Sequence, residues 1–168
     1  MSQVRAQFAR KMANKVLKDS KITAPPVDLL TILRTYGINY EEMEDFPETV
    51  DALIIEDGTS VYAAVNARQH PHRQRFSLAH ELGHYFLHRE GNRAESVTID
   101  TPPSEESEIG TKDPAETEAD LFAGELLVPL EMLRPNVHKG IPELAKIFLV
   151  SEQVIAIAIS RHMKTLFK

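Results

Sequence analysis

The chain has 168 residues, 42% of them hydrophobic and 26% charged, which suits one ordinary globular domain with its own core. The absence of cysteine excludes disulfide scaffolds, thiolate zinc sites and a cysteine nucleophile. A net charge of −6 argues against a general nucleic-acid coat protein. The longest apolar run, Val154 to Ile159, is far shorter than the roughly 20 residues of a membrane span.

The first half of the chain predicts two helices and a small sheet. Four apolar residues recur every fourth position and predict an amphipathic first helix rather than a targeting peptide: Val4, Phe8, Met12 and Val16. A second helix is expected between Pro25-Pro26 and Gly37. The expected strands are 38–42, 51–56 and 61–65, the last two joined by a turn at Asp57-Gly58.

The second half is predicted to be mainly helical. The expected elements are a basic loop at 68–74, a helix over 76–88, a loop at 98–110, a helix from Pro114 to about Leu127, and a last helical stretch from Pro142.

The sharpest motif is His80-Glu81-Leu82-Gly83-His84, inside the predicted helix over 76–88. Residues i and i+4 of a helix project from one face about 6 Å apart, so the two imidazoles can share one metal ion. Glu81 lies about 100° round the helix from His80, where it can hold the attacking water and accept its proton. The motif therefore predicts a hydrolytic metal site with His80 and His84 as ligands and Glu81 as general base.

A third ligand is expected from the second acidic helix, because catalytic zinc takes three protein ligands and leaves one position to water. Glu116 and Asp120 lie one turn apart on a face that they share with Ala119 and Ala123. We assign Glu116 as the third ligand and Asp120 as the residue that accepts the free ring N–H of a ligand histidine. Glu118, about 100° away, stays open as the alternative ligand and is otherwise a solvated surface acid.

The remaining histidines receive smaller roles. His88 continues the stripe but lies two turns from His80, about 12 Å, so it cannot share the same ion and is expected to be structural or solvent-facing. His70 and His72 belong to the basic loop and are expected at the surface, with an approach to the substrate oxyanion as the alternative.

Two long motifs carry a family resemblance. Arg75-Phe-Ser-Leu-Ala-His-Glu-Leu-Gly-His-Tyr-Phe-Leu-His88, followed by Glu116-x-Glu-Ala-Asp-x-Phe-Ala-x-x-Leu-Leu-Val-Pro129, resembles the ImmA/IrrE family of bacterial metallopeptidases over roughly residues 22 to 130. The resemblance implies a zincin-like α+β fold, helical with a small antiparallel sheet of about three strands packed on the motif helix. It places the family's metal-binding pair at His80 and His84, its catalytic glutamate at Glu81 and its acidic helix at 116–120.

The resemblance also implies a function. It indicates a cytoplasmic metallo-endopeptidase, gluzincin-like, that relieves transcriptional repression by cleaving a helix-turn-helix repressor, often encoded in mobile elements or stress-response loci. Zinc is the expected ion, with manganese or iron as alternatives for two histidines and a carboxylate. One rival hypothesis is a metal-bound regulator or antitoxin that binds its partner protein without cleaving it. The other is a purely structural or DNA-binding protein, which predicts no stoichiometric metal and tight operator binding. Neither direct nucleic-acid binding nor membrane association is expected, and the oligomeric state stays open.

Substrate binding is expected to use the sheet. The 61–65 strand precedes the motif helix and is expected to be an edge strand, to which an extended peptide can add by main-chain hydrogen bonds.

The chain is expected to have two parts: residues 1–135 as the metallopeptidase domain with its N-terminal helix, and 136–168 as a C-terminal helical extension. The stretch 141–163 is similar to a helix-turn-helix, but Leu149 replaces the usual turn glycine. The segment 155–159 offers almost no polar side chains for base edges. We therefore expect the extension to pack on the core or to grip the substrate repressor.

Overall fold

The computed structural model describes residues 4–89 and 113–167, so the predicted loop at 98–110 lies outside the described residues. Within them the chain is mainly helical with one small sheet. The elements in chain order are α1 (Ala6–Asp19), α2 (Leu29–Thr35), β1 (Ile38–Met43), β2 (Ala52–Asp57), β3 (Ser60–Asn66), α3 (Pro71–Leu87), α4 (Pro114–Leu127), α5 (Leu130–Leu133), a 3₁₀ turn (Arg134–Asn136), α6 (Ile141–Phe148) and α7 (Glu152–Leu166). None of the described helices is long and apolar enough to cross a membrane.

The sheet has the three strands that the sequence predicts, in the order β1-β3-β2. The β2–β3 hairpin is antiparallel, whereas β1 pairs with β3 in parallel, so the prediction of a purely antiparallel sheet is wrong. The tight turn dictates only the direction of the hairpin partner, while the longer β1–β2 connection decides on which side and in which direction β1 is added. The expectation that the 61–65 strand lies at the edge is also wrong, since β3 is central and β2 is an edge strand.

Helix α1 buries a face that coincides only in part with the predicted stripe, since Val16 is buried and Met12 packs against the core. Its buried residues are Ala9, Ala13, Val16 and Leu17, whereas Val4 and Phe8 are more than one-third exposed. The small alanines allow α1 to pack closely on α4. The predicted stripe therefore identifies the helix but misplaces its contact face by part of a turn.

Helix α3 begins five residues before the predicted start, so most of the predicted basic loop is helical. His70 caps the helix, because its ring Nδ1 accepts a hydrogen bond from the backbone N–H of His72 at 3.1 Å. Pro71 occupies the first helical position, where its missing N–H costs nothing. This cap is not predicted from the sequence, because histidine is an uncommon N-cap residue.

The two C-terminal helices pack on the core. Phe148, Ile155 and Ala158 belong to the same buried cluster as the residues of α3 and α4. Leu149 adopts the left-handed conformation (φ 52°) that glycine usually supplies at this turn. Its carbonyl accepts a hydrogen bond from Arg75 Nε at 3.0 Å, which ties the turn between α6 and α7 to α3. The division of the chain at residue 135 stays a prediction.

Helix α2 offers a test of local stability. Asp28 caps it by accepting hydrogen bonds from the backbone N–H groups of Leu30 (3.0 Å) and Thr31 (3.2 Å), and the Thr31 hydroxyl bond lowers the pKa of Asp28. We expect Asp28→Ala to lower the free energy of unfolding by about 1 kcal/mol, measured by urea denaturation. Asp45→Ala removes an exposed acid from a bend and serves as control, with an expected change within about 0.5 kcal/mol. Equal losses in both variants would contradict the capping role.

Candidate metal and active site

Two imidazoles and one carboxylate meet between α3 and α4. The Nε2 atoms of His80 and His84 lie 3.0 Å apart. Oxygens of the Glu116 carboxylate lie 3.3 Å from His80 Nε2 and 3.1 Å from His84 Nε2. A tetrahedral ion bound to nitrogen and oxygen at about 2.1 Å requires ligand atoms about 3.4 Å from one another. The three donor groups therefore have the spacing and chemistry that fit one divalent ion.

Asp120 fixes the orientation of the His80 ring. The Nδ1–H of His80, whose side chain is almost fully buried, donates to Asp120 Oδ1 at 2.8 Å. A hydrogen on Nδ1 leaves the lone pair on Nε2, the atom that faces Glu116 and His84. This is the contact expected for Asp120 from the sequence, and it selects the tautomer that can bind a metal ion.

The environment of His84 keeps its ring neutral. Burial, followed by the neighbouring rings of His80 and His88, lowers the pKa of His84 to about 4. A neutral imidazole has a free lone pair at pH 7, and this is the form that coordinates metals.

Glu81 lies at the edge of a cleft beside these donors. Its side chain is 95% buried, with a relative exposure of 5%. The cleft has a volume of about 150 Å³ between the edge strand β2, the second half of α3 and the start of α4. Its lining residues are Ile54, Glu56, Glu81, His84, Tyr85, His88, Arg89, Asp113, Ala115 and Glu116. The structure thus brings together, in one cleft, the predicted general base and two of the three predicted ligands.

Glu118 lies away from the two imidazoles. It is buried, so the interpretation as a solvated surface acid is wrong. Its carboxylate accepts hydrogen bonds from the backbone N–H (2.6 Å) and Nη2 (2.8 Å) of Arg5 and from His88 Nε2 (3.0 Å). The Arg5 guanidinium holds the pKa of Glu118 at about 2. Geometry therefore favours Glu116 over Glu118 as the partner of the histidine pair.

Glu118 and His88 instead form a connection between the N-terminal helix and the site helices, which sequence reasoning missed. Arg5 lies 113 residues before Glu118. No local pattern links such distant positions, because their contact depends on how α1 packs on α4.

Gly83, inside the motif, allows α3 and α4 to approach closely. A Cβ atom at this position would lie 2.9 Å from Ala119 Cα and 3.0 Å from the Ala119 carbonyl oxygen. Gly83→Ala gains up to about 1 kcal/mol of helix propensity, but overpacking against backbone costs about 1–3 kcal/mol. We expect a lower melting temperature and weaker metal binding, because α4 carries Glu116 and must shift.

Gly124→Ala is the matched control for this prediction. A Cβ at Gly124 would meet the guanidinium of Arg161, the far end of a flexible side chain, with Nη1 at 2.8 Å and Cζ at 3.9 Å. We expect unchanged metal affinity and a smaller loss of stability, both measured by calorimetry. The prediction is wrong if the two alanine variants behave alike.

The sequence comparisons agree with this geometry. Residues 38–160 match the model of peptidase family M78, described as the IrrE N-terminal-like domain. The match covers most of the chain and includes all of α3 and α4. The chain therefore belongs to this metallopeptidase family, and the resemblance predicted from its motifs is confirmed.

One protein with a similar sequence is Metallopeptidase ImmA of Bacillus subtilis (strain 168). The chain is 34% identical to it over 114 residues. The alignment covers 61% of this chain and 62% of the relative, so the chain spans somewhat less than two thirds of that protein.

Proposed function

We propose that the protein is a metal-dependent endopeptidase whose active site is the His80-His84-Glu116 cluster with Glu81. The observation that carries the proposal is the set of three donors 3.0–3.3 Å apart, beside a buried glutamate in a cleft. A divalent ion bound there supplies a Lewis acid that polarises the scissile carbonyl and acidifies water. Zinc suits the donor set best, and manganese or iron are the alternatives.

Each residue then has a definite task. His80 and His84 hold the ion from α3, and Glu116 holds it from α4. Asp120 keeps the His80 ring in the binding tautomer. Glu81 accepts the proton of the attacking water and delivers it to the leaving amine. A purely metal-binding protein has no need of Glu81 in the cleft, and this favours an enzyme of the H-E-x-x-H type over a non-cleaving regulator.

The edge strand β2 is the proposed docking element for an extended substrate. Only one side of β2 pairs within the described sheet, and its Ile54 and Glu56 line the cleft next to Glu81. A peptide that adds to β2 by main-chain hydrogen bonds therefore passes the catalytic groups. This requires a substrate segment that can leave its own fold and become extended.

The proposed substrate is a helix-turn-helix repressor in the bacterial cytoplasm, whose cleavage relieves transcriptional repression. The support is the family membership and the similarity to a relative named Metallopeptidase ImmA. A role in stress response or in mobile genetic elements belongs to the same proposal.

The test uses the purified protein and a helix-turn-helix repressor encoded beside its gene. The two are mixed with zinc, manganese or iron(II), and products are identified by mass spectrometry. We expect one defined cut that disappears with a chelator and returns with the ion, and no cut in an unrelated helix-turn-helix repressor. Loss of operator binding without a cut would instead support the non-cleaving regulator.

A further inference from the structure

A second groove lies along the first half of α3, whereas the β2 cleft lies along its second half. This second groove lies between the first half of α3 and helix α7 and has a volume of about 700 Å³. Its lining residues are His70, His72, Arg73, Phe76, Asp120, Ser151, Gln153, Val154 and Ile157. We call it the α3–α7 groove.

The α3–α7 groove adjoins the candidate metal site through Asp120. Phe76 lies one helical turn before His80 on the same helix, so both side chains belong to one face of α3. Asp120, the residue that binds His80 Nδ1, forms part of the groove wall. The β2 cleft contains His84 and Glu116. The site residues thus lie between the two depressions, along the length of α3.

The chemistry of the groove fits a polypeptide with apolar side chains. Phe76, Val154 and Ile157 provide its apolar surface, and Ile157 is 47% exposed. Polar groups of the lining, from His70, His72 and Gln153, can bond to peptide main-chain groups. The volume is within the range of specific ligand pockets and exceeds that of one side chain, so it can take a segment of several residues.

We infer that the α3–α7 groove binds the apolar segment of the protein substrate that flanks the scissile bond, with α7 as its specificity-determining wall. The inference rests on the proposed function, since it assumes that the polypeptide cleaved at the metal site continues into the groove. A chain held by β2 on one side of the site and by α7 on the other has its scissile bond fixed between the two. The extension of residues 136–168 therefore selects substrates through an apolar helix face.

The first test measures cleavage kinetics of the neighbour-encoded repressor. Ile157→Glu puts a charge on the groove wall, so an apolar substrate side chain can no longer be buried against Ile157. We expect KM to rise about tenfold or more, with little change in kcat. Met163→Glu is the matched control, since Met163 is an exposed apolar residue of α7 (53%) outside the groove lining. Equal KM values for the two variants would overturn the inference.

A second test separates this inference from the proposed peptidase activity. Because the chain lacks cysteine, Ile157→Cys and Met163→Cys each give a single thiol whose alkylation rate reports its accessibility. Both are combined with Glu81→Gln and loaded with zinc, so that repressor is bound but not consumed. The repressor is expected to slow alkylation at position 157 at least fivefold and to leave position 163 unchanged.

The outcomes of the two tests are distinct. Protection at 157 without cleavage by the wild-type protein would overturn the peptidase proposal, and with it the assignment of the groove to a segment that flanks a scissile bond, and would leave the groove as a surface that binds the repressor. Cleavage without protection at 157 would overturn the groove and leave the peptidase standing, and absence of both would overturn the two together. If a random DNA duplex, in place of the repressor, protects the thiol at position 157 from alkylation, α7 binds nucleic acid and the inference is also overturned.

Discussion

The Glu81→Gln variant is expected to retain its metal ion and lose cleavage by about 10²–10⁴-fold, the usual contribution of a general base. Glutamine has nearly the same shape as glutamate, so the buried position in the cleft wall can accept it. The neutral amide cannot take the proton of the attacking water. The measurement is the initial rate of repressor cleavage, accompanied by elemental analysis of the protein for bound metal.

Glu56→Gln is the control for this prediction. Glu56 lines the same cleft, but it is half exposed and pairs with Arg89 Nε at 2.8 Å. A surface ion pair of this kind contributes little, and we expect cleavage within a few-fold of the wild-type rate. If Glu81→Gln cleaves at the wild-type rate, Glu81 is not the general base. Inhibition of the repressor by the inactive variant would show that binding, rather than cleavage, relieves repression.

The second large effect is expected from a pair of substitutions on α4. Glu116→Gln should weaken zinc affinity by about 100-fold or more, because loss of an orienting residue outside the ligand set already costs 10–100-fold. Glu118→Gln should leave zinc affinity nearly unchanged, since its carboxylate contacts Arg5 and His88 instead of His80 and His84. Affinities are measured by competition with a chelator of known strength.

The same two variants are expected to differ in stability in the reverse order, with the larger loss in Glu118→Gln. Hydrogen bonds to a charged group contribute about 1.5–3 kcal/mol, so Glu118→Gln is expected to reduce the free energy of unfolding by an amount of this order. Glu116 is partly exposed and makes its contacts with the two imidazoles, so Glu116→Gln in the metal-free protein should cost less. A loss of zinc binding in Glu118→Gln alone would reassign the third ligand.

Features set by short-range rules were accessible from the sequence. The helix around His80 and His84 follows from residue periodicity, and the β2–β3 hairpin follows from its turn at Asp57-Gly58. The position of Glu116 and Asp120 on one face of α4 also depends only on the repeat of one helical turn. These residues lie within a few positions of one another, where backbone geometry alone decides which side chains share a face.

Features set by packing were not accessible. The parallel pairing of β1 depends on the path of a connection, and the buried alanine face of α1 depends on how close α4 can approach. The same holds for Glu118, whose character as a surface acid or a buried anchor depends on Arg5 at the other end of the chain.

By itself, the sequence determined the candidate site residues of this protein: a helix turn with two imidazoles and a glutamate, and a second helix with acids one turn apart. Only the tertiary structure decided which acid meets the imidazoles, which strand forms the sheet edge, and that α7 and α3 enclose a groove beside the site. The physical reason is that residue type and helical repeat are local properties. Contact between distant segments depends instead on the free energy of packing the whole core, in which small residues such as Gly83 and Ala119 set how closely the helices approach.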